Sequence, residues 1–199
     1  MSAAQSELSA ALQSAQVIHD RTVIEAAIAR MGTQITKSLD GERALFLTVL
    51  HGGLMFAGPL ALAIGCDLEF DYVHATRYRG GMRGGDLHWL RKPQAVMRGR
   101  TVILADDILD EGHTLIALRD ACLSQGARRV LIAVLCEKRH ERRVPGLVAD
   151  FVGVKVPDAY VFGYGMDYHE QGRNLPAIYA LEEREQGTGS GEHSRAGAG

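Results

Sequence analysis

The chain has 199 residues, of which 46% are hydrophobic and 23% charged, with a formal net charge of −2. A chain of this size and composition can bury a substantial core as one domain and needs no metal or disulfide to hold it together. The slightly acidic balance argues against a nucleic-acid-binding surface. The three cysteines are scattered among apolar neighbours, which indicates reduced, mostly buried thiols. The N-terminal residues lack the pattern of a signal peptide or membrane anchor, so we expect a soluble cytoplasmic protein.

The N-terminal third begins with a weak pattern and continues with a strong one. Residues 1–15 are rich in Ala, Ser and Gln, which predicts a loose or helical lead-in. Asp20 then suits a helix N-cap, and apolar residues recur at helical spacing from Val23 to Ile35. The sequence therefore predicts a helix that starts after Asp20 and ends at Gly41.

Four apolar runs of strand length follow, at residues 44–50, 68–76, 101–105 and 130–135. Helical segments separate them, the clearest being 54–64 and 114–124. Because the runs are almost continuous in Val, Ile and Leu, they predict an α/β fold with a parallel sheet covered on both faces. Ligands of such sheets lie beyond the carboxyl ends of the strands. We therefore expect a site formed by the loops after Leu50, Ala105 and Leu135.

Two segments have loop-like compositions. Residues 79–86 (RGGMRGGD) contain four glycines and two arginines, which predicts a mobile loop. From Arg184 onward the chain is rich in Gly and Ser, which predicts a disordered tail without function.

The most informative segment is the end of the strand at 101–105 and the nine residues after it, Asp106-Asp107-Ile108-Leu109-Asp110-Glu111-Gly112-His113-Thr114. Backbone N–H groups at the start of the next helix, aided by the helix dipole and a hydroxyl, suit a phosphate. Adjacent carboxylates at a strand end can accept from sugar hydroxyls or bind hydrated Mg²⁺. An acidic turn in which Asp110 or Thr114 serves only as a cap is the plainer alternative.

This segment resembles the signature of type I phosphoribosyltransferases, in which a hydrophobic strand, two acids and two apolar residues precede Asp-Thr-Gly-Lys-Thr. From about Val17 to Leu181 the chain resembles the hypoxanthine-guanine phosphoribosyltransferases, because the Lys138 segment and residues 156–168 match that branch. The resemblance implies a central parallel sheet flanked by helices in a domain of residues 16–183. It also implies a small hood lobe formed by about 16–20 and 150–183, with a tail at 184–199.

The implied activity is transfer of the 5-phosphoribosyl group from phosphoribosyl pyrophosphate (PRPP) to hypoxanthine or guanine, which yields IMP or GMP and pyrophosphate. The family implies Mg²⁺ as cofactor, small-molecule substrates, and a homo-oligomer that is a dimer or tetramer. It implies no nucleic-acid or membrane partner.

The resemblance assigns the general base to Asp110, which would take the proton from purine N7. An Asp is a weak base at its usual pKa, so we expect burial or neighbouring acids to raise the pKa of Asp110. The residues implied in PRPP and phosphate binding are Asp106, Asp107, Glu111, Gly112, His113, Thr114, His51, Gly52 and Arg173.

A second group is implied to bind the purine: Lys138, Tyr160, Val161 and Asp167. Lys138 would donate to the 6-oxygen, Tyr160 would stack on the base, and the carbonyl of Val161 could accept from guanine N2. The 6-amino group of adenine is a donor that would meet the ammonium donor of Lys138, so adenine would be rejected. Xanthine has the same 6-oxygen as hypoxanthine, so the sequence does not exclude it as a substrate. The implied Mg²⁺ contacts are Asp106, Asp107 and Asp167. A solvated lysine, a core aromatic and surface ion pairs are the plainer alternatives for this group.

Two loops complete the implied site. Leu50-His51-Gly52 corresponds to the family's pyrophosphate loop, so we predict a cis peptide bond between Leu50 and His51. Arg77 and Tyr78 begin the loop that would close over the site as a lid, where the family usually has Ser-Tyr.

Three residues depart from the commonest family pattern. His51 stands in place of a frequent Lys and weakens the charge available to pyrophosphate near neutral pH. Glu111 stands in place of Thr, so its carboxylate must point away from the phosphate, and His113 stands in place of Lys. We therefore expect PRPP binding that is weaker or more dependent on pH than is usual in the family.

A regulatory protein of the same fold, which binds PRPP as an effector and nucleic acid as a partner, is the rival interpretation. It would need an added DNA-binding module or a basic face. The lead-in is too short for a winged helix and the net charge is negative.

Overall fold

The computed structural model describes residues 3–77 and 87–181. The helices are α1 (Ala3–Ser14), α2 (Arg21–Leu39), α3 (Leu54–Ala63) and α4 (His113–Ser124). The strands are β1 (Ala15–His19), β2 (Ala44–Leu50), β3 (Leu68–Arg77), β4 (Leu87–Arg91), β5 (Thr101–Leu109), β6 (Arg129–Lys138), β7 (Phe151–Val156), β8 (Val161–Phe162) and β9 (Ile178–Leu181). The predicted mobile loop at 79–86 and the tail from residue 184 lie outside the described residues.

Six strands form one large sheet in the order β4-β3-β2-β5-β6-β7. All neighbouring pairs are parallel except β3 and β4, which are antiparallel. The predicted α/β fold with a central, mostly parallel sheet is confirmed, and β4 is an edge strand that the sequence reasoning did not predict.

The two central strands run further than predicted. Pairing between β5 and β6 continues to Leu109 opposite Glu137, and β6 ends at Lys138, where it pairs with β7. Asp106 and Asp107 therefore lie within β5 rather than in a loop after it. Pairing with β2 ends at Ala105, but β6 continues beside β5 to Leu109, so one side of the β5 backbone stays paired there, which apolar patterning alone does not reveal.

Helices cover the large sheet on both faces, as predicted. On one face α2 and α3 pack through Ile24, Met31 and Phe56 into a cluster with the sheet. On the other face α4 packs through Leu115 and Leu118. Each helix thus fixes one end of a connecting loop against the sheet, which is what positions the loops at the strand ends.

Helix α2 shows how local chemistry sets an element's bounds. Asp20 is the N-cap as predicted, and its carboxylate accepts from the N–H of Val23 at 2.9 Å. The helix ends at Leu39, because Asp40 adopts a left-handed conformation (φ 48°) and Gly41 continues it (φ 81°).

A second, three-stranded antiparallel sheet has the order β1-β9-β8. Residues 3–14 of the lead-in are a helix, and the chain then enters β1 directly. Of residues 150–183, β7 joins the large sheet, whereas β9 pairs with β1 and β8 pairs with β9. The small sheet thus joins the two ends of the described chain.

The three cysteines are free. Cys122 and Cys136 are buried and Cys66 is half-buried, so the prediction of mostly buried thiols is confirmed. None of the described helices is both long enough and apolar enough to cross a membrane.

Candidate active site

A cleft of about 380 Å³ opens at the carboxyl ends of β2 and β5. This is the edge of the sheet where the strand pattern predicts a site. Its lining residues are Val49, Leu50, Gly52, Ala75, Asp106, Asp107, Ile108, Asp110, Glu111, Gly112, His113, Thr114, Leu115 and Arg173. Most of the residues predicted to bind PRPP therefore share one cleft.

Asp106 and Asp107 are two adjacent buried carboxylates in this cleft. The N–H of Asp107 donates to Oδ1 of Asp106 at 3.0 Å. Burial raises the pKa of Asp106 well above its usual range, and the neighbouring Asp107 raises it further. Burial also raises the pKa of Asp107, although Arg173 works against that rise. Such a pair is stabilised by hydroxyl donors or by a cation.

Two glycines let the backbone approach these carboxylates. A Cβ atom built at Gly52 would collide with the carboxylate of Asp107, and one built at Gly165 would collide with the carbonyl oxygen of Gly52. Gly165 also has φ 109°, a conformation that side chains disfavour. The loop after β2 can therefore lie directly against Asp107 only because both positions are glycine.

The segment from Asp110 to Thr114 forms the turn from β5 into α4. Gly112 is the N-cap of α4 with φ 87°, and α4 begins at His113. A helix start offers backbone N–H groups without intrahelical partners and the positive end of the helix dipole. The turn faces the cleft, so it presents these donors where an anion could bind.

Asp110 is bound by two side chains at once. Lys138 Nζ donates to Oδ2 at 2.9 Å, and His140 Nε2 lies 2.6 Å from Oδ1. The side chain of Lys138 is only 13% exposed and that of His140 only 2%. The cleft and the Lys138 segment thus meet at one carboxylate.

The expected rise in the pKa of Asp110 is wrong. Burial does favour a higher pKa, but the hydrogen bonds from Lys138 and His140 and the charge of Lys138 outweigh it and hold the pKa below the usual value. A carboxylate that accepts charge-assisted hydrogen bonds is stabilised in its ionised form.

His140 is the site residue that the sequence reasoning missed. It follows the basic residues Lys138 and Arg139 in a run of charged residues that is typical of a solvated surface. A histidine two residues beyond a predicted ligand at a strand end was the only available signal, since its burial against Asp110 is a tertiary contact.

Arg173, Asp167 and Tyr160 form a connected group, of which Arg173 lines the cleft. Arg173 donates to Asp167 Oδ1 at 2.6 Å and to the carbonyl oxygen of Gly165 at 2.6 Å. Tyr160 donates through its hydroxyl to the carbonyl oxygen of Asp167 at 3.1 Å, and its side chain is 45% exposed. Val161 is buried and pairs with Ala180 of β9.

The remaining predicted residues differ in their positions. The peptide bond between Leu50 and His51 is cis, as predicted. Among the described residues His51 is not part of the cleft lining, and its ring instead lies 4.2 Å from that of His74. The side chain of Arg77 and all of Tyr78, the predicted start of the lid, lie outside the described residues.

The described part of the chain contains no group of three or more His, Cys, Asp or Glu side chains that could hold a metal ion. A fully protein-bound metal is therefore not indicated there. Mg²⁺ commonly uses one or two carboxylates together with substrate phosphates and water. The buried, acidic pair Asp106 and Asp107 fits that smaller donor set.

The geometry agrees with the comparisons with known proteins. Residues 14–171 match the phosphoribosyl transferase domain. The hypoxanthine-guanine phosphoribosyltransferase of Streptococcus thermophilus (strain CNRZ 1066) is 37% identical over 154 residues, which are 77% of this chain and 85% of the relative. This chain belongs to the hypoxanthine-guanine phosphoribosyltransferase family. The family's enzyme from Streptococcus mutans is 35% identical over 169 residues, 84% of this chain and 93% of the relative.

Solved structures of the same family have the same fold. The crystal structure of a hypoxanthine phosphoribosyltransferase from Staphylococcus aureus (tetragonal form) matches 84% of this chain and 91% of its own, with a TM-score of 0.79 and 30% identity. A hypoxanthine-guanine phosphoribosyltransferase from Bacillus anthracis, solved with HEPES in its active site, matches 84% and 98%, with a TM-score of 0.79 and 29% identity. The type I phosphoribosyltransferase fold and the prediction of an enzyme, rather than a regulatory protein, are confirmed.

Proposed function

We propose that this enzyme transfers the 5-phosphoribosyl group of PRPP to hypoxanthine or guanine, with Asp110 as general base and Lys138 as the ligand of the 6-oxygen. The observation that carries the proposal is the 2.9 Å contact between Lys138 Nζ and Asp110 Oδ2. Because of this contact, two groups lie together at one end of the proposed phosphate-binding turn. Lys138 is a cation that can donate to the 6-oxygen of the purine, and Asp110 is a base that can take the purine's proton.

Lys138 supports selection of 6-oxopurines. Its ammonium group donates only, so a keto oxygen satisfies it whereas the amino group of adenine does not. Because the side chain is 13% exposed, solvent compensates poorly for a missing partner. Hypoxanthine, guanine and xanthine share the 6-oxygen, so this contact rejects adenine and does not separate the other three.

Asp110 supports proton transfer from N7. Its lowered pKa keeps the carboxylate ionised at neutral pH, so it is ready to accept a proton. When Lys138 turns from Oδ2 to the 6-oxygen of a bound purine, one of the two interactions that lower the pKa is lost. The basicity of Asp110 then increases at the moment the purine is in place.

The turn at 110–114 supports binding of the 5-phosphate through the first N–H groups of α4. Glu111, the acidic departure from the family pattern, lies 3.5 Å from His113 and 4.0 Å from Arg142. Both Glu111 and His113 line the cleft, so these contacts partly offset the negative charge that Glu111 brings to the site.

Asp106 and Asp107 would contact the ribose hydroxyls and hold Mg²⁺, for which their burial and raised pKa values provide the electrostatic reason. When bound, Mg²⁺ neutralises charge on the pyrophosphate. Arg173 would help to stabilise the departing pyrophosphate, and the backbone of His51 and Gly52 would bind it. Asp167, which already neutralises Arg173, would also contact Mg²⁺.

The base would lie against Tyr160, whose exposed ring is held by its hydroxyl contact to Asp167, and beside the carbonyl of Val161. The lid that begins with Arg77 and Tyr78 would exclude water from the reacting sugar.

In the proposed reaction the bond from C1 of the ribose to the pyrophosphate oxygen breaks, and its electron pair leaves with the pyrophosphate. Purine N9 supplies the pair that forms the new bond to C1, and the N7 proton passes to Asp110. No covalent intermediate with the protein is required, so the rate enhancement comes from positioning and electrostatics.

The direct test is to incubate the protein with PRPP, Mg²⁺ and each of hypoxanthine, guanine, xanthine and adenine, and to measure kcat/KM for nucleotide formation. We expect IMP and GMP to form readily and AMP to form at least tenfold less efficiently. Failure to form a nucleotide with any 6-oxopurine would overturn the proposal. Gel filtration of the same sample would test the expected homo-oligomer.

A further inference from the structure

His140 is a buried histidine whose contacts define its role. It lies just beyond the end of β6, with a side chain that is 2% exposed and Nε2 2.6 Å from Oδ1 of Asp110. Lys138 occupies the other oxygen, Oδ2. The two oxygens of Asp110 therefore have different partners, one on each side of the carboxylate.

The opposite nitrogen of the ring determines the tautomer. The backbone N–H of Arg142 donates to Nδ1 of His140 at 3.1 Å. A ring nitrogen that accepts a hydrogen bond carries no hydrogen, so in the neutral ring the hydrogen is on Nε2. Nε2 therefore donates to Asp110.

The loop around His140 is held from outside by a bidentate ion pair. Arg142 donates to both carboxylate oxygens of Asp158, at 2.7 and 2.8 Å. The backbone N–H that donates to Nδ1 also belongs to Arg142. The ion pair therefore helps to hold the N–H that orients the ring. Of the charged side chains, Lys138 contacts Asp110 directly and Arg142 acts on it at longer range.

We infer that His140 is a positioning residue for the general base: it holds Oδ1 of Asp110 as a neutral donor, so that Oδ2 is the oxygen that takes the purine N7 proton. The inference rests on the proposed function of Asp110. When Lys138 leaves Oδ2 for the base, His140 is the contact that keeps the carboxylate from rotating. The ring passes no proton onward, because Nδ1 is already engaged as an acceptor by Arg142.

The test compares two substitutions at one position. His140→Phe keeps a ring and removes both nitrogens, whereas His140→Gln places an amide N–H close to the position of Nε2. Because one charge-assisted hydrogen bond is lost, we expect His140→Phe to lower kcat with hypoxanthine about tenfold or more and to change KM for PRPP by less than about twofold. We expect His140→Gln to recover kcat to within about threefold of the wild type. His19→Phe, a histidine of β1 away from the cleft, is the matched control.

The outcomes separate this inference from the proposed function. If Asp110→Asn, measured alongside, keeps the wild-type rate, the assignment of the general base is wrong. If Asp110→Asn loses activity while His140→Phe keeps the wild-type rate, the inference about His140 alone is overturned. Equal losses in His140→Phe and His140→Gln would also overturn it, because a purely structural role predicts no recovery.

A spectroscopic measurement covers the case in which His140→Phe does not fold. In the wild-type protein labelled with ¹⁵N-histidine, long-range ¹H–¹⁵N correlations at neutral pH should assign the Nε2–H tautomer to His140. Observation of the Nδ1–H tautomer or of a doubly protonated ring would overturn the inference.

Discussion

The proposed contact between Lys138 and the purine can be tested by replacing the lysine with methionine. Lys138→Met removes the charge and all donors while keeping a long, unbranched side chain. In the free enzyme the change also deprives Asp110 of one of its two hydrogen-bond partners. The side chain is largely buried, so water replaces the lost ammonium group only in part.

The expected size follows from the loss of one hydrogen bond from a charged donor, worth about 1.5–3 kcal/mol. Since about 1.4 kcal/mol corresponds to a factor of ten, kcat/KM for hypoxanthine should fall roughly 10- to 150-fold. Adenine no longer meets an opposing donor in the variant, so its kcat/KM should fall much less or rise. The ratio of the two specificity constants should therefore shrink by a similar factor.

The same variant should change the pH profile. The pKa of Asp110 is held down by Lys138 and His140, and it should rise when Lys138 is removed. A general base acts in its ionised form, so the acid limb of kcat/KM should move to higher pH.

Steady-state kinetics with hypoxanthine and adenine between about pH 4 and pH 9 would measure both effects. Lys155→Met is the matched control. Lys155 is an exposed lysine of β7 that forms a 3.7 Å ion pair with Glu137 and does not contact Asp110. A Lys138→Met enzyme with the control's kcat/KM for hypoxanthine, and with unchanged selectivity against adenine, would refute the assignment.

Three further substitutions test other parts of the site and the fold. Gly52→Ala should weaken PRPP binding, measured by calorimetry, because the new methyl group collides with the carboxylate of Asp107. Asp71→Asn should lower the free energy of unfolding at pH 7 by about 2 kcal/mol, because the hydrogen bonds around Asp71 outweigh burial and lower its pKa from 3.8 to about 2. The pKa of Asp71 is lower in the folded state than in the unfolded state, so its stabilising contribution is present above about pH 4 and is lost as the pH falls toward 2. The difference in unfolding free energy between variant and wild type, measured in urea, should therefore vanish near pH 2. Glu111→Thr should tighten PRPP binding in calorimetry, because it removes a negative charge from the phosphate-binding turn.

Each of these has a matched control. Gly58→Ala adds the same methyl group in α3, where no atom lies within 4 Å, and should leave PRPP binding unchanged. Asp67→Asn changes an exposed acid paired with Arg43 and should have little effect on unfolding. Glu141→Thr removes an exposed charge from the loop after β6. Effects of equal size in variant and control would contradict the reasoning in each case, and so would a PRPP affinity that is unchanged or weaker in Glu111→Thr.

Elements whose information is local were predictable from the sequence. The cap at Asp20 is a hydrogen bond across three residues, and β2 is a continuous apolar run with the bounds observed. The turn from β5 into α4, which we propose binds phosphate, was predictable because its residues are consecutive in the chain. The cis bond after Leu50 was predicted through resemblance to a family rather than through a physical pattern.

Elements that depend on partners distant in the chain were not predictable from the sequence. The two-residue strand β8 and the edge strand β4 are too short to show a pattern of their own, and they exist because β9 and β3 pair with them. The predicted direction of the Asp110 pKa shift was wrong for the same reason, because the residues that lower this pKa, Lys138 and His140, lie 28 and 30 residues away along the chain. By itself the sequence determined four of the six strands of the large sheet and the turn whose residues suit a phosphate, since those depend on neighbouring residues. Only the tertiary structure decided how Asp110, the proposed base, is held and in which direction its pKa shifts, because that depends on partners brought together by folding.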